Sequence, residues 1–329
     1  MMQLVLIGIS AGAAAALLFA SVTSGSWLSI ALFYLAPLPL MIAGLGWSHW
    51  SALVGALFGA SALGVIFGPI YFMVFVAGAG LPAWWLVYLA MLARPVEAGA
   101  TAGGPSAASL EWYPPGRLVV WAAFLAAAIV LIAIPNFGLD GESFRNGLRE
   151  TLTRMLRAET GGAADRPLSL PGVTNAQRVI EFMVAVIPPA AAVLATVTAL
   201  INLWLAGRVV KFSGRLARPW PDLSAMTFPP SVGAALAGAV ALSFFDGMIG
   251  ILAGVLSASL LIAYGVLGLA VLHAITQGMS ARPFLIGSVY AAVLVFGWPI
   301  LLLCLLGIVD ALIGLRARVA RKRGPPTLS

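Results

Sequence analysis

The sequence predicts an all-α polytopic membrane protein, a bundle of about eight (eight to nine) transmembrane helices plus one amphipathic extramembrane helix. Three observations carry this prediction. Of the 329 residues, 61% are hydrophobic and 9% charged, where an ordinary soluble domain is about 25% charged. No Asp, Glu, Lys or Arg precedes Arg94. Charge-free runs of about 20 residues, the length that crosses about 30 Å of hydrocarbon at helical rise, recur along the chain. A soluble fold of this size needs a polar skin, and too few charges are present to build one. Soluble enzymes, secreted disulfide scaffolds and disordered chains are thereby excluded.

The charge-free runs place spans at roughly 3–22, 27–46, 50–67, 70–92, 118–136, 180–206, 248–272 and 284–308. The first run lacks the basic n-region of a signal peptide, and further spans follow it at once, so it reads as a retained helix. A ninth candidate, about 231–245, lies between Pro229-Pro230 and Asp246-Gly247. At some 15 residues it reaches only about 22 Å, so it is either a short tilted span or a re-entrant segment.

Lys and Arg bias orients the bundle. The tail holds Arg316, Arg318, Arg321, Lys322 and Arg323, and the 207–230 loop holds Arg208, Lys211, Arg215 and Arg218. Both segments are expected in the cytoplasm, which requires an even number of crossings between them. Eight spans with a re-entrant 231–245 meet that condition, with both termini inside. The location expected is a bacterial inner (cytoplasmic) membrane, crossed many times.

The chain divides into a charge-free four-helix unit (1–93), a Gly-, Ala-, Ser- and Pro-rich flexible connector (94–117), the fifth span (118–136), an extramembrane segment (137–177), C-terminal membrane helices (178–315) and a basic tail (316–329). In the extramembrane segment Phe144, Leu148, Leu152, Met155 and Leu156 share one helical face, and Glu150 and Arg154 form an i,i+4 pair. This is an amphipathic helix for the membrane surface or the bundle mouth, a lid or a packed linker. Trp27, Trp47, Trp50, Trp84, Trp112 and Trp220 sit near predicted helix ends as an aromatic belt. Gly8/Gly12, Gly55/Gly59, Gly64/Gly68 and Gly250/Gly254 permit close helix approach.

No catalytic or metal constellation emerges, so an enzyme is not expected and no cofactor is implied. His49 and His273 fall near helix ends, the only lysines are Lys211 and Lys322, and the single Cys304 allows no intrachain disulfide. Glu181, Asp246 and Asp310 are peripheral to the predicted spans, which disfavours proton-coupled transport. The formal charge of +7 lies in loops and tail, a pattern for anionic lipid rather than nucleic acid.

What remains are helix breaks and uncharged polar groups. Pro37 and Pro39 in the second span each remove a backbone donor and free an upstream carbonyl, and a freed carbonyl in lipid must face protein, water or ligand. Pro188-Pro189 interrupt the sixth span, where Asn202 must also find a partner. Together with Tyr34 and Tyr71, the residues Pro37, Pro39 and Asn202 outline a candidate site for a small neutral or lipophilic molecule.

The motif order LAPLPL, GLGWSHW, SALVGALFGASALG and a final GIVDALIGLRAR resembles the YybS-like family of bacterial multispan membrane proteins over essentially the whole chain. Gly307, Asp310 and Arg316 match the Gly, Asp and Arg of the last motif. Six residues separate Asp310 from Arg316, so one helix does not place them on one face and no direct salt bridge is expected. The N-terminal half is also similar to the substrate-binding membrane component of energy-coupling-factor vitamin transporters. That likeness implies a small metabolite in the bundle and a partner subunit docked on a small-residue face of the first helix, which Ala11 and Ala15 fit. The expected function is a transport-related or small-solute/lipid-binding membrane component, with membrane lipid and other membrane subunits as partners. The alternative is a non-transporting scaffold for envelope or cell-shape proteins.

Overall fold

The charge-free first ninety residues build a unit around a parallel pair of glycine-rich helices. The computed structural model describes residues 1–96, 109–160 and 175–323. Within them, α1 (Met2–Ala20) and α4 (His49–Phe67) touch backbone to backbone. A Cβ on Gly12 would strike the Gly55 carbonyl oxygen, and one on Gly59 would stand 2.8 Å from the Gly12 carbonyl oxygen. Small residues let these axes close, and packing rather than water exclusion holds them in lipid. Ala15, beside them, is buried in the core. The small-residue face of α1, expected to dock a partner subunit, is therefore used within the chain.

Between these two helices the second span is broken, as its prolines require. α2 (Trp27–Tyr34) is capped by Ser26, whose Oγ accepts from Ser29 N, and α3 (Pro37–Gly46) restarts on Pro37. The fourth span is α5 (Pro69–Phe75), a π-helical turn (Val76–Gly80) and α6 (Leu81–Ala90). Leu40, Met41, Phe75, Leu86 and Val87 form the core of this unit.

The two ends of the connector meet as a short β-ribbon. β1 (Ala93–Val96) and β2 (Ser109–Trp112) pair antiparallel, Ala93 opposite Trp112, and Arg94 bridges Glu111 at 2.6 Å. The residues between the strands lie outside the described residues, as do 161–174 and 324–329.

The second half packs α7 (Pro115–Ala133), α9 (Ala176–Phe212), α10 (Pro230–Ser243) and α11 (Gly247–Ile275) around Val119, Leu236, Leu260, Tyr264 and Leu267. The 37-residue α9 carries Pro188 and Pro189 inside it without ending, and it runs past the expected boundary into the 207–230 loop. Among the described residues seven helical segments are long and apolar enough to cross a membrane, while α10 and two others are shorter.

The predicted 284–308 span is two short helices, α12 (Arg282–Phe296) and α13 (Ile300–Ile313). Gly297, at φ +71°, Trp298 and Pro299 separate them. Proline supplies no backbone donor and glycine alone relaxes at that φ. α13 meets α11 through glycine, since a Cβ on Gly307 would strike the Tyr264 carbonyl oxygen and one on Gly268 that of Leu303. Gly254 instead meets nothing within 4 Å, so the Gly250/Gly254 spacing does not mark a helix contact. After Gly314 the chain continues as α14 (Leu315–Arg323) within the basic tail.

Contacts sort the helix ends into two faces. Gly116, starting α7, abuts Thr227, while Phe228 and Gly233 approach Tyr264. At the other face Gly141 meets Gly247 and Met248. The short α10 therefore runs from one face to the other, where the sequence favoured a re-entrant turn. The tail returns to the first face, because Arg316 Nη1 donates to Ser224 O at 2.7 Å. α11 ends at that same face, so the α12–α13 pair leaves it and comes back. The even count is met by exchanging the roles of the two ambiguous segments. Four crossings precede the β-ribbon, which places the N-terminus on this face too.

At the opposite face lies α8 (Gly141–Thr160). Asp140 Oδ1 accepts from Glu142 N (3.0 Å) and Ser143 N (2.9 Å), which caps its start, and the Ser143 bonds hold that carboxyl below its ordinary pKa. Phe144 and Leu148 are buried against Ile180 and Val184 of α9, with Leu152 and Leu156 alongside. Met155, expected on the same face, is 61% exposed. Arg154 Nη2 lies 3.5 Å from Thr151 Oγ1, a longer contact than the expected pairing with Glu150 would give.

Candidate functional site

The helix break outlined by the sequence is sealed by protein. Leu38 N turns to Leu35 O (3.0 Å), leaving Tyr34 O without its helical donor, and Asn202 Nδ2 supplies one at 2.9 Å. The same Nδ2 also donates to Thr198 O at 2.9 Å. Asn202 is 1% exposed, and Ala36 and Leu40 beside the break are fully buried. Tyr34, Pro37, Pro39 and Asn202 thus come together, as a joint between the second span and α9. Tyr71 stands apart on α5, its ring 5.1 Å from that of Phe67.

The final motif is a clasp. α13 ends where Gly314 adopts the left-handed conformation (φ 63°, ψ 50°) and returns its N–H to Asp310 O at 2.8 Å. That reversal overturns the expectation that six residues keep Asp310 and Arg316 apart. Arg316 N donates to Asp310 Oδ1 at 2.9 Å and Nε to Oδ2 at 2.9 Å, with Nη2 2.7 Å from Oδ2. Asp310 is 6% exposed, and Arg316 also reaches Ser224 O. One carboxylate therefore caps α14 through Oδ1 and holds the guanidinium on Oδ2, and that guanidinium ties the tail to the 213–229 loop. Gly307 sets the height of this clasp by letting α13 lie against α11.

On the same face, below the loop, a cleft of about 370 Å³ is lined by Pro115, Gly116, Arg218, Trp220, Asp222 and Met226, among others. Arg218 is 8% exposed. Its Nη1 donates to Ala90 O at 2.8 Å and its Nη2 to Tyr113 O at 3.3 Å, while Nε has no partner. The guanidinium lies 5.8 Å from the Trp112 ring. Burial pulls its pKa below the usual arginine value. Asp222 carries its carboxylate on Ser224, taking the backbone N–H at 2.9 Å and the hydroxyl at 2.7 Å. Those bonds hold it below the ordinary aspartate range.

The tryptophans of this face carry cations. Arg215 sits 4.6 Å from the Trp47 ring centroid, and Trp220 lies between Arg208 at 5.7 Å and Lys211 at 5.1 Å. Such distances permit cation–π attraction, so the expected aromatic belt is here a row of paired charges. Sequence reasoning counted Arg218 only as one positive charge among four. Its signal was the RPWPD run, in which prolines fix the loop that buries it. Among the described residues no three His, Cys, Asp or Glu side chains gather as a metal site.

A family model for predicted membrane proteins (DUF2232) matches residues 13–311. The chain belongs to this family. The match runs from the middle of α1 to Ala311, so the cleft and Asp310 lie within the family unit, and Arg316 just beyond it. No significant likeness to a curated protein or to a solved structure was found.

Proposed function

We propose that this multi-pass membrane protein is a binding or transport-related component for a small solute or lipid, with the Arg218 cleft as its binding site. One observation carries the reading: a buried arginine that has no carboxylate partner among the described residues lines a cleft of about 370 Å³. Burying an unpaired cation is costly, and side chains of this kind in membrane proteins are retained where they meet substrate or lipid. The sealed Pro37/Pro39 joint moves the expected site from the bundle interior to the charged face.

That face is assigned to the cytoplasm of a bacterial inner membrane. Twelve of the 18 Lys and Arg residues fall in its described segments, 94–96, 109–117, 207–230, 276–282 and 314–323, with Glu111 and Asp222 as their acids. Such bias marks the inside. The YybS-like resemblance and the similarity to vitamin-transporter binding components agree with a non-enzymatic binding role.

A native mass spectrum of the full-length protein, released gently from its own membrane, tests the reading. The expected result is a stoichiometric small molecule or lipid on the chain, and a bare protein would count against it. The scaffold reading is favoured by α12 and α13, whose Phe284, Leu294, Val295, Leu301 and Leu312 are exposed. Crosslinking from that pair to other envelope proteins, with no retained ligand, would establish it instead.

A further inference from the structure

The cleft holds a buried guanidinium to which, among the described residues, no carboxylate is hydrogen-bonded. Ala90 O and Tyr113 O orient the Arg218 guanidinium through one hydrogen bond to each terminal nitrogen. Carbonyl oxygens fix direction but carry no net charge. Trp220, one wall of the cleft, bears Arg208 and Lys211 on its ring at 5.7 and 5.1 Å, so two further cations stand beside that wall. Asp222 lines the cleft as well; Ser224 holds its Oδ1 and keeps the carboxylate ionised, so the two cations beside Trp220 decide the sign of the field. The site stands where α7 starts and α9 ends, at the level of the tryptophan belt and hence of lipid headgroups.

We propose that this cleft binds a phosphate-bearing anion, with the Arg218 guanidinium as the neutralising fork and Arg208 and Lys211 as the attracting field. The proposal rests on the binding reading above and adds the chemical class of the ligand. A planar guanidinium suits phosphate because its N–H groups match two oxygens at once. About 370 Å³ accommodates a phosphate and its ester but not an acyl chain. The phosphate has two sources, the headgroup of an anionic phospholipid or a free or solute-borne phosphate.

The test titrates the full-length protein in neutral detergent, with phosphatidylglycerol in one arm and inorganic phosphate in the other. Native mass spectrometry counts bound ligand and thermal unfolding reports stabilisation. Wild type is expected to take up one ligand per chain in at least one arm. R218Q should weaken it by more than about tenfold, the scale of a charged hydrogen bond. Because R218Q also removes two hydrogen bonds of the fold, A225W is the second variant. Ala225 lines the cleft and is exposed, so an indole there fills the space and leaves the bonds of Arg218 intact. Uptake in the lipid arm alone, abolished by A225W, supports the proposal and identifies a headgroup. Uptake of inorganic phosphate, abolished likewise, supports it and identifies the free anion. Equal uptake by wild type and A225W, or uptake by neither, overturns it. A phosphate-free endogenous molecule retained by wild type and lost from A225W would overturn this inference and leave the binding reading standing.

Discussion

Asn202 and Arg218 are both buried polar residues, and their partners separate their roles. Asn202 meets a carbonyl oxygen that the chain itself freed at the Pro37/Pro39 break, so it closes the fold. Replacing it with leucine keeps the branching and heavy-atom count, adds bulk and orphans Tyr34 O. Hydrogen bonds between membrane helices average about 0.6 kcal/mol and reach about 1.7, and an orphaned acceptor costs more than a lost bond. N202L should therefore lose about 1–2 kcal/mol, read as a lower midpoint of thermal unfolding in detergent. Asp310 has more to lose, since D310A leaves Arg316 without its counter-ion and uncaps α14. Breaking a buried pair costs about 3–5 kcal/mol, and the partial exposure of Arg316 puts D310A at the low end. D310N should cost less, because the amide oxygen still caps. Denaturation of both variants against wild type checks the order. Neither geometry was legible from spacing alone. The six-residue gap misled because periodicity assumes a continuous helix, whereas the left-handed Gly314 folds the chain back on Asp310.

At the scale of elements, the long apolar runs were legible because composition alone sets a membrane helix. The first five spans and α9 appear where charge-free stretches predict them. What failed was the distinction between one span and two half-helices, since residues 283–309 carry no charge and only Gly297-Trp298-Pro299 marks the break. The role of α13 rests on backbone contact with α11 at Gly268 and Gly307, and the chain carries its own reporter of it. Cys304 is the only cysteine and is buried in this interface, its Sγ 3.2 Å from where a Gly265 Cβ would stand. G307V should force α13 away from the Tyr264 carbonyl. Maleimide labelling of Cys304 is expected to be slow in wild type and at least about tenfold faster in the variant. Local opening of roughly 1.4 kcal/mol suffices for that change. Unchanged labelling would mean that α13 does not depend on this contact.

For the whole molecule, the prediction concerns sides. The N-terminus, β-ribbon, 213–229 loop, 276–281 turn and tail share one face, and the other holds α8 with the 21–26 and 244–246 turns. In a cysteine-free C304S background, S213C, M279C and R318C should react with an impermeant thiol reagent only from the cytoplasm. S24C, N146C and F245C should react only from outside. Outside reaction of M279C together with inside reaction of R318C would turn the α12–α13 pair back into one crossing span. The Arg-rich segments are what assigns the first face to the inside in this prediction. The cleft was not readable, because it forms where the end of α6, the start of α7 and a proline-bound loop converge from distant parts of the chain.

The Asn202–Tyr34 bond joins residues 168 apart, which sets a schedule for biogenesis. At about 5–20 residues per second of synthesis, the broken second span waits roughly 8–34 s in the bilayer before its donor emerges. During that interval the Tyr34 carbonyl depends on water or an insertion factor. A ribosome stalled between the fourth span and α9 should therefore hold a nascent chain whose first four spans are inserted but whose second span remains open, a target for quality-control proteases until α9 arrives.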